Sequence, residues 1–269
     1  MPIIKPYYYI IALVLLQFTS CVKKELADMI PATQIKTTID WSEINTSNRN
    51  TVILCVGDEI INITEGEQPD PDTLSVNAGS VNVRMYNTPY SIMVMNDILA
   101  NVTTDAGGYI LPNPDPFYSA SLDINAEKEK TTNAEITPKY KTRNLIIKFN
   151  VPDSIRIQAD TTINSINATL SNVAKSFEIK TETVINSGLS AFTIPARIGQ
   201  DSCICNYFGF IGNEQTFDIE MLLNYNFKRL ISVDVSNLLN DFNTDKAKSK
   251  TVTIDWGMIK DQWYNIVPQ

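Results

Sequence analysis

The sequence contains no histidine, and this absence excludes several kinds of chemistry. Histidine is the most common general base of enzymes, the usual partner of a catalytic serine and the most common metal ligand. An enzyme made from this chain would have to act through carboxylates alone, as glycosidases do, and no paired-carboxylate motif is visible. We therefore expect no catalytic activity, no metal site and no cofactor.

Basic residues are also few. The chain has 22 Lys and Arg against 30 Asp and Glu, which gives a formal net charge of −8 at pH 7. Proteins bind nucleic acids through clusters of basic side chains that face the phosphates, and the sequence has no such cluster. We therefore expect no nucleic-acid partner.

The longest apolar run is too short to cross a membrane as a helix. It covers about a dozen residues, 7–18, whereas a membrane-spanning helix needs roughly 20. Lys5 precedes the run, and the small residues Thr19 and Ser20 follow it. This order is typical of a secretion signal that is cut away. Cleavage between Ser20 and Cys21 would make Cys21 the first residue of the mature protein.

The segment that ends at Cys21 resembles a bacterial lipobox, with Phe18 in place of the more usual leucine. The resemblance implies that Cys21 is acylated. Two or more acyl chains hold a protein stably on a bilayer, whereas one chain does so only marginally. A plain signal peptide followed by an incidental cysteine is the alternative. We expect residues 1–20 to be a signal peptide and residues 21–33 to be a lipid-anchored leader.

Three further cysteines follow, at Cys55, Cys203 and Cys205. Export places them in an oxidising compartment, where a disulfide is permitted. Cys203 and Cys205 are two residues apart, so they face the same side of a strand and a bond between them would be strained. We expect all three to be small buried apolar residues. A disulfide between Cys55 and one of the pair remains an alternative.

The dominant period of the chain is two, and helical periodicity is weak. Ile35, Thr37, Ile39 and Trp41 fall on one face of a first strand. Further short β-rich runs alternate with turn residues, which is typical of antiparallel sandwiches. We predict an all-β fold of two tandem antiparallel β-sandwiches. The later runs are residues 51–56, 80–86, 90–95, 119–124, 133–138, 144–151, 166–170, 177–181, 189–195, 207–212, 217–225, 230–235 and 251–256.

The best boundary between the two sandwiches is the segment 151–162. It follows a strong strand and contains Pro152 and several polar residues. We place an N-terminal sandwich at residues 34–151 and a C-terminal sandwich at residues 160–269.

Two local features concern individual elements. The tetrapeptide Thr-Ile-Asp-Trp occurs at residues 38–41 and again at residues 253–256. The two copies could be equivalent strands in related sandwiches, or they could reflect shared strand composition. A helical pattern is confined to residues 235–242, where Ser236 is a candidate N-cap.

Three short motifs carry a family resemblance. They are Ile-Asp-Trp-Ser at residues 39–42, Pro-Asp-Pro-Phe-Tyr at 114–118 and Ser-Val-Asp-Val-Ser-Asn-Leu-Leu at 232–239. Together with the lipobox and the polar leader, they resemble the fimbrillin-related lipoproteins of Bacteroidales, and most nearly their fimbrial anchor subunits. The resemblance implies two transthyretin- or immunoglobulin-like sandwiches and no catalysis.

The resemblance also implies a location and a partner. The protein would be an outer-membrane lipoprotein at the cell surface, held by palmitate on Cys21, and it would anchor or terminate a fimbrium in cell adhesion. Its partners would be the fimbrial subunits of the same fibre, joined to it by strand exchange. Such exchange uses the unpaired N–H and C=O groups of a sheet edge.

The first and last strands are the candidate exchange edges, because terminal strands are the ones that are free to move. The candidate residues are Ile35, Thr37, Ile39 and Trp41 in the first strand and Val252, Ile254 and Trp256 in the last. In the alternative, both strands close their own sheets and the protein joins no fibre.

A second class of function stays open, a surface lipoprotein that binds glycans for a polysaccharide-utilisation system. Exposed aromatic residues beside Asn, Asp or Lys would favour it, whereas an open apolar groove at a sheet edge would favour the fibre subunit. The acidic loop at residues 65–72 offers carboxylates to Ca²⁺ but lacks an ordered ligand spacing, so we interpret it as a solvated loop.

Overall fold

The computed structural model describes residues 32–46, 50–150, 163–194, 202–223, 228–244, 249–263 and 266–267. Eighteen strands and two short helices lie in these ranges, so the predicted all-β fold is confirmed. None of the helices in these ranges is long and apolar enough to cross a membrane. Ser20, Cys21 and the predicted leader up to residue 31 lie outside the described residues.

Most strands are short, and turns separate them. The strands are β1 (Gln34–Ile39), β2 (Thr51–Val56), β3 (Glu59–Thr64), β4 (Thr73–Ser75), β5 (Gly79–Asn87), β6 (Ile92–Met95), β7 (Leu99–Val102), β8 (Tyr118–Ala126), β9 (Thr131–Ile136), β10 (Lys139–Tyr140), β11 (Arg143–Asn150), β12 (Ile163–Glu178), β13 (Thr183–Ile194), β14 (Ser202–Tyr207), β15 (Thr216–Leu223), β16 (Lys228–Asp234), β17 (Ser249–Asp255) and β18 (Ile266–Val267). The helices are α1 (Ser236–Leu239) and α2 (Trp256–Trp263).

The first sandwich consists of a three-stranded and a five-stranded sheet. The smaller sheet has the order β4-β1-β9, and the larger has the order β10-β8-β5-β2-β3. Alternate residues of both sheets form one apolar core, which includes Ile35, Leu54, Val83 and Met85, each fully buried. The period-two pattern therefore places the core residues as expected.

The second sandwich repeats this arrangement strand for strand. Its smaller sheet has the order β14-β11-β17, and its larger sheet contains β18-β16-β15-β12 with β13 on the other side of β12. Strands β11 to β18 thus occupy, in chain order, the places of β1 to β5 and β8 to β10. In each sandwich the first strand pairs in parallel with the second-last, β1 with β9 and β11 with β17. These two parallel pairs depart from the purely antiparallel arrangement that the sequence predicts.

The two copies of Thr-Ile-Asp-Trp do not occupy equivalent places. Residues 38–41 end the central strand β1, whereas residues 253–256 end β17 and begin α2. The counterpart of β17 in the first sandwich is β9, because both pair in parallel with the first strand of their sandwich. Equivalent strands are therefore not the reason for the repeated tetrapeptide.

Strand pairing places the boundary between the sandwiches before the predicted segment 151–162. β10 pairs with β8 in the first sandwich, and β11 pairs with β14 and β17 in the second. The change therefore falls at residues 141–142. Lys141 is buried there, and its ammonium group lies 2.8 Å from the Glu182 carboxylate and 5.7 Å from the centre of the Phe177 ring. Both partners belong to the second sandwich.

The β6–β7 hairpin belongs to the first half of the chain but adds to a sheet of the second sandwich. β7 pairs antiparallel with β12, with Asn101 opposite Ser176. Ile92 and Ala100 of the hairpin pack into the same apolar core as Phe177. The order of the strands along the sequence does not reveal that β7 pairs with β12, because this pairing joins residues more than seventy positions apart.

Two details of the sequence prediction are corrected. The runs at 166–170 and 177–181 do not form separate strands, because β12 runs through most of both and passes a bulge between Leu170 and Val173. Ser236 does not cap α1 with its side chain; Val235 occupies the N-cap position, and the Ser236 main-chain N–H and hydroxyl donate to the Asp234 carboxylate.

Candidate functional site

The last long strand, β17, lies at the edge of its three-stranded sheet. It pairs with β11 along its whole length, and the described residues place no strand on its other side. Val252 and Ile254 point into the core, with 4% and 0% of their surface exposed. Trp256 begins α2 directly after the strand. β17 therefore combines an open main-chain edge with an apolar inner face.

The first strand, β1, is not an edge, and here the sequence prediction is wrong. β1 pairs with β9 from Gln34 to Ile39 on one side and with β4 on the other. Ile35, Thr37 and Ile39 are buried between the two sheets. β1 is central because β9, a strand from much later in the chain, adds in parallel beside it.

The side chain of Gln68 closes the part of β1 that β4 does not reach. The Ile39 main-chain N–H donates to the Gln68 side-chain oxygen at 2.9 Å, and the Gln68 side-chain nitrogen donates to the Ile39 carbonyl at 2.8 Å. Between this pair and β4, the Thr37 N–H donates to the Asp72 carbonyl at 2.8 Å. The loop thus gives β1 the hydrogen bonds of a neighbouring strand.

The 65–72 loop is mostly exposed, in agreement with its interpretation as a solvated loop, and only Glu65 and Pro69 in it are buried. Glu65 is 4% exposed, and its carboxylate accepts a hydrogen bond from the Asn50 main-chain N–H at 3.0 Å. The Trp41 indole N–H donates to the Glu67 carbonyl at 2.9 Å. Among the residues that the structure describes, no group of three or more Cys, Asp or Glu could hold a metal ion. The loop therefore packs against the end of β1.

Two edges of the second sandwich are also covered. On β16, the Ser232 N–H donates to the Gln262 side-chain oxygen at 2.8 Å, and the Gln262 side-chain nitrogen donates to the Ser232 carbonyl at 2.7 Å. On β14, the Asn206 N–H donates to the Pro112 carbonyl at 2.6 Å, and the Asn113 side-chain amide lies against the Ile204 carbonyl, to which its nitrogen donates when the amide group is flipped. Neither edge is free to pair with another strand in this arrangement.

Cys55, Cys203 and Cys205 are free thiols. Cys55 and Cys205 are buried, as the sequence predicts, whereas Cys203 is half-buried. Burial raises the pKa of the Cys55 thiol to about 11. The hydrogen bond that the Cys203 thiol donates to Cys205, together with burial, raises the pKa of Cys203. The same hydrogen bond lowers the pKa of Cys205. Cys55 and Cys203 are therefore mainly protonated at neutral pH and poorly reactive.

Four residues at strand edges have roles that the sequence does not predict. Gln68 and Gln262 carry no motif, and their role depends on a strand edge that only the fold creates. Met93 and Met95 lie in a predicted strand but are 64% and 50% exposed. The alternation of these methionines with Ile92 and Val94 indicates a strand with two different faces, but the sequence does not indicate which face is exposed.

The comparisons with known proteins give a fold and no sequence family. No protein-family model matches the chain, and no curated protein matches it. A candidate adhesin from Bacteroides ovatus is similar in structure, with a TM-score of 0.57 and 11% identity over 85% of this chain and 94% of that chain. The fimbrial anchor protein Mfa2 from Porphyromonas gingivalis gives 0.54 and 8% identity over 87% and 95%. This chain has the fold of Bacteroidales fimbrial proteins.

The fold is shared with a protein of a different description as well. A candidate polysaccharide-binding protein from Bacteroides thetaiotaomicron is similar with a TM-score of 0.52 and 10% identity, over 82% of this chain and 89% of that chain. The predicted resemblance to fimbrillin-related proteins is thus confirmed for the fold. Both classes of function that the sequence left open have a structural neighbour.

Proposed function

We propose that this protein is a lipid-anchored subunit that anchors or terminates a surface fimbrium at the outer membrane and catalyses no reaction. The observation that carries this proposal is the length of the likeness to the fimbrial anchor, which includes 95% of that chain and 87% of this one. A match of this length cannot be confined to one of the two sandwiches. The candidate adhesin supports a role at the cell surface in the same way.

The lipid anchor is proposed from the sequence. Ser20 and Cys21 form the predicted cleavage site, and acyl chains on Cys21 would hold the mature chain on the membrane. The residues between Cys21 and β1 would be the tether. This arrangement leaves the two sandwiches accessible to fibre subunits.

Strand exchange with a neighbouring subunit is proposed at β17. Its outer edge has no strand among the described residues, and its inner face is formed by Val252 and Ile254. A strand that replaced β17 would regain the ladder on β11 and would have to bury apolar side chains at the same two positions. β1 is unsuitable, because Gln68 and β4 occupy one side and β9 the other.

The experiment that tests this proposal is co-purification from native membranes with wild type and Cys21→Ala. We expect wild type to incorporate labelled palmitate and to bring down a ladder of fibre subunits, and the variant to lose the label and release fibres into the medium. Cys203→Ala is the control, because it removes another cysteine of the chain and should keep both the label and the fibres. A lipidated wild type that arrives without fibre subunits would refute the fimbrial role.

Glycan binding is the second candidate, supported by the polysaccharide-binding neighbour and by Tyr90. The Tyr90 side chain is fully exposed, and the Asp115 carboxylate is bonded to the adjacent Ser91. A single ring offers less stacking surface than a platform of several aromatic residues. Tyr90 therefore supports glycan binding less strongly than the open edge of β17 supports the fimbrial role. Affinity electrophoresis of wild type and Tyr90→Ala in polysaccharide gels distinguishes the two.

A further inference from the structure

The β6–β7 hairpin has no counterpart in the second sandwich. All other strands of the first sandwich have an equivalent there, whereas this hairpin is inserted between β5 and β8 and extends the large sheet of the second sandwich. β7 joins β12, and β6 becomes the last strand of that sheet. The insertion therefore creates a new sheet edge at β6.

The hairpin is held at both ends. At its base, the Ser91 N–H and hydroxyl donate to the Asp115 carboxylate at 3.1 and 2.9 Å, and the Asp115 N–H donates to the Ser91 hydroxyl oxygen at 2.6 Å. At its turn, the Tyr86 hydroxyl donates to the Asp97 carboxylate, and the Arg84 Nε donates to the Asp97 carbonyl at 2.8 Å. β6 is thus fixed in an extended conformation, which lowers the entropic cost of binding a partner.

The outer edge of β6 presents main-chain groups that need a partner. The Thr103 N–H donates to the Ser91 carbonyl, so Ser91, Met93 and Met95 bond toward β7 in the alternation of an antiparallel pair. The N–H and C=O of Val94 then point away from β7. No residue that the structure describes bonds to them. An extended polypeptide is the ligand that satisfies both groups at once.

The side chains of β6 lack the usual protection of an edge. Met93 and Met95 are exposed, and the four residues of the strand carry no charge and no proline. Proteins normally protect edges with charges, prolines or covering segments. In this chain Gln68 covers β1, Gln262 covers β16, and Pro112 with Asn113 covers β14. The β6 edge is instead apolar and open.

We propose that the β6 edge binds an extended, uncharged segment of a partner protein, which adds to the sheet as an antiparallel strand. Antiparallel addition continues the pairing of β6 with β7 and of β7 with β12. The residue opposite Val94 continues the inner face, and its two neighbours contact Met93 and Met95. The segment therefore has three consecutive apolar residues. This site depends neither on the lipid anchor nor on exchange at β17.

A second copy of this chain fits the site less well. Two β6 strands paired about a two-fold axis would join only four residues from each copy. A stable interface buries about 800 Å² on each partner, which a ladder of this length does not supply. A tail or loop of a partner protein can bind through the β6 edge and the exposed methionines alone, because it does not have to form a dimer interface.

The test is a fluorescence-anisotropy titration of the full chain in a non-denaturing detergent. The probe is fluorescein-labelled Lys-Thr-Val-Ile-Val-Thr-Lys-amide, in which the terminal lysines provide solubility. We expect saturable binding. N-methylation of the central isoleucine removes its N–H without changing any side chain, and it should weaken binding about tenfold. Hydrogen exchange at the Val94 amide should slow when the peptide is bound.

Met93→Lys and Ile204→Lys form a matched pair. Both side chains are exposed to a similar extent, 64% and 58%, but Ile204 lies on the covered edge of β14. We expect Met93→Lys to weaken binding at least about fivefold and Ile204→Lys to leave it unchanged. Val94→Pro, which removes the outward N–H of an edge strand, should abolish binding. Equal binding of the N-methylated peptide, or a wild-type dimer that excludes the peptide, would overturn the proposal.

Discussion

The Gln68 side chain and the Ile39 main chain exchange two hydrogen bonds, in the manner of two residues on adjacent antiparallel strands. Gln262 forms the same pair with Ser232. Asn243 forms it with Phe210, whose N–H donates at 2.9 Å and whose carbonyl accepts at 2.7 Å. A carboxamide has the donor and acceptor of a peptide group, so one side chain can close a strand edge where no strand fits.

Gln68→Ala should open the edge of β1. The variant loses two hydrogen bonds in a partly solvated position, so we expect a fall of about 1 kcal/mol in the free energy of unfolding. Urea denaturation measures this fall. Hydrogen exchange at the Ile39 amide should become faster in the native protein, because its acceptor is gone.

The neighbouring Glu67→Ala is the control for Gln68→Ala. The Glu67 side chain is exposed, and only its main-chain carbonyl bonds to Trp41. We expect no measurable change in stability or in exchange at Ile39. An unchanged exchange rate at Ile39 in Gln68→Ala would mean that the bonds do not protect this edge in solution.

Gly209→Ala should destabilise the second sandwich strongly. Gly209 has a φ of +153°, and an added Cβ would lie 2.3 Å from the Asn243 side-chain oxygen. Asn243 cannot move away without giving up its two bonds to Phe210. We expect a loss of about 2–4 kcal/mol in the free energy of unfolding, measured by urea denaturation.

Gly212→Ala separates steric overlap from backbone strain. Gly212 also has a positive φ, of +70°, but an added Cβ would have no atom within 4 Å. We expect a loss of about 1 kcal/mol, from the backbone conformation alone. Equal losses at the two glycines would show that the contact with Asn243 does not matter.

The sequence predicts the strands better than it predicts their partners. The alternation of Val81, Val83 and Met85 identifies β5 and its buried face, because this signal is local. The central position of β1 depends on β9, which is about a hundred residues away. The role of Gln68 depends on the pairing of β1 with β4, which stops at Lys36. Such long-range pairings leave no local pattern, so a strand at the chain start looks like an edge.

Tyr118→Phe and Tyr86→Phe should have opposite effects on stability. Both hydroxyls are buried, but that of Tyr118 lies near the Glu65 carboxylate without the geometry of a hydrogen bond, whereas that of Tyr86 donates to Asp97. Removing the unpaired hydroxyl should leave stability unchanged or raise it slightly. Removing the paired one should cost about 1–2 kcal/mol, because the Asp97 carboxylate loses a donor. Thermal and urea unfolding of both variants measure the difference, and a larger loss for Tyr118→Phe would contradict it.

Stability should fall above pH 9 in part because of Cys55. Burial raises the pKa of this thiol from about 9 to about 11 in the folded protein, so the unfolded chain releases its proton first. This stabilisation is fully present below pH 9 and is lost as the pH rises through 11, with an upper limit of about 3 kcal/mol. We therefore expect the destabilisation caused by Cys55→Ala, measured by urea unfolding, to shrink over this range. Val56→Ala, at a buried position that does not titrate, should cost the same at every pH. A parallel pH dependence in the two variants would mean that ionisation of Cys55 is not coupled to folding.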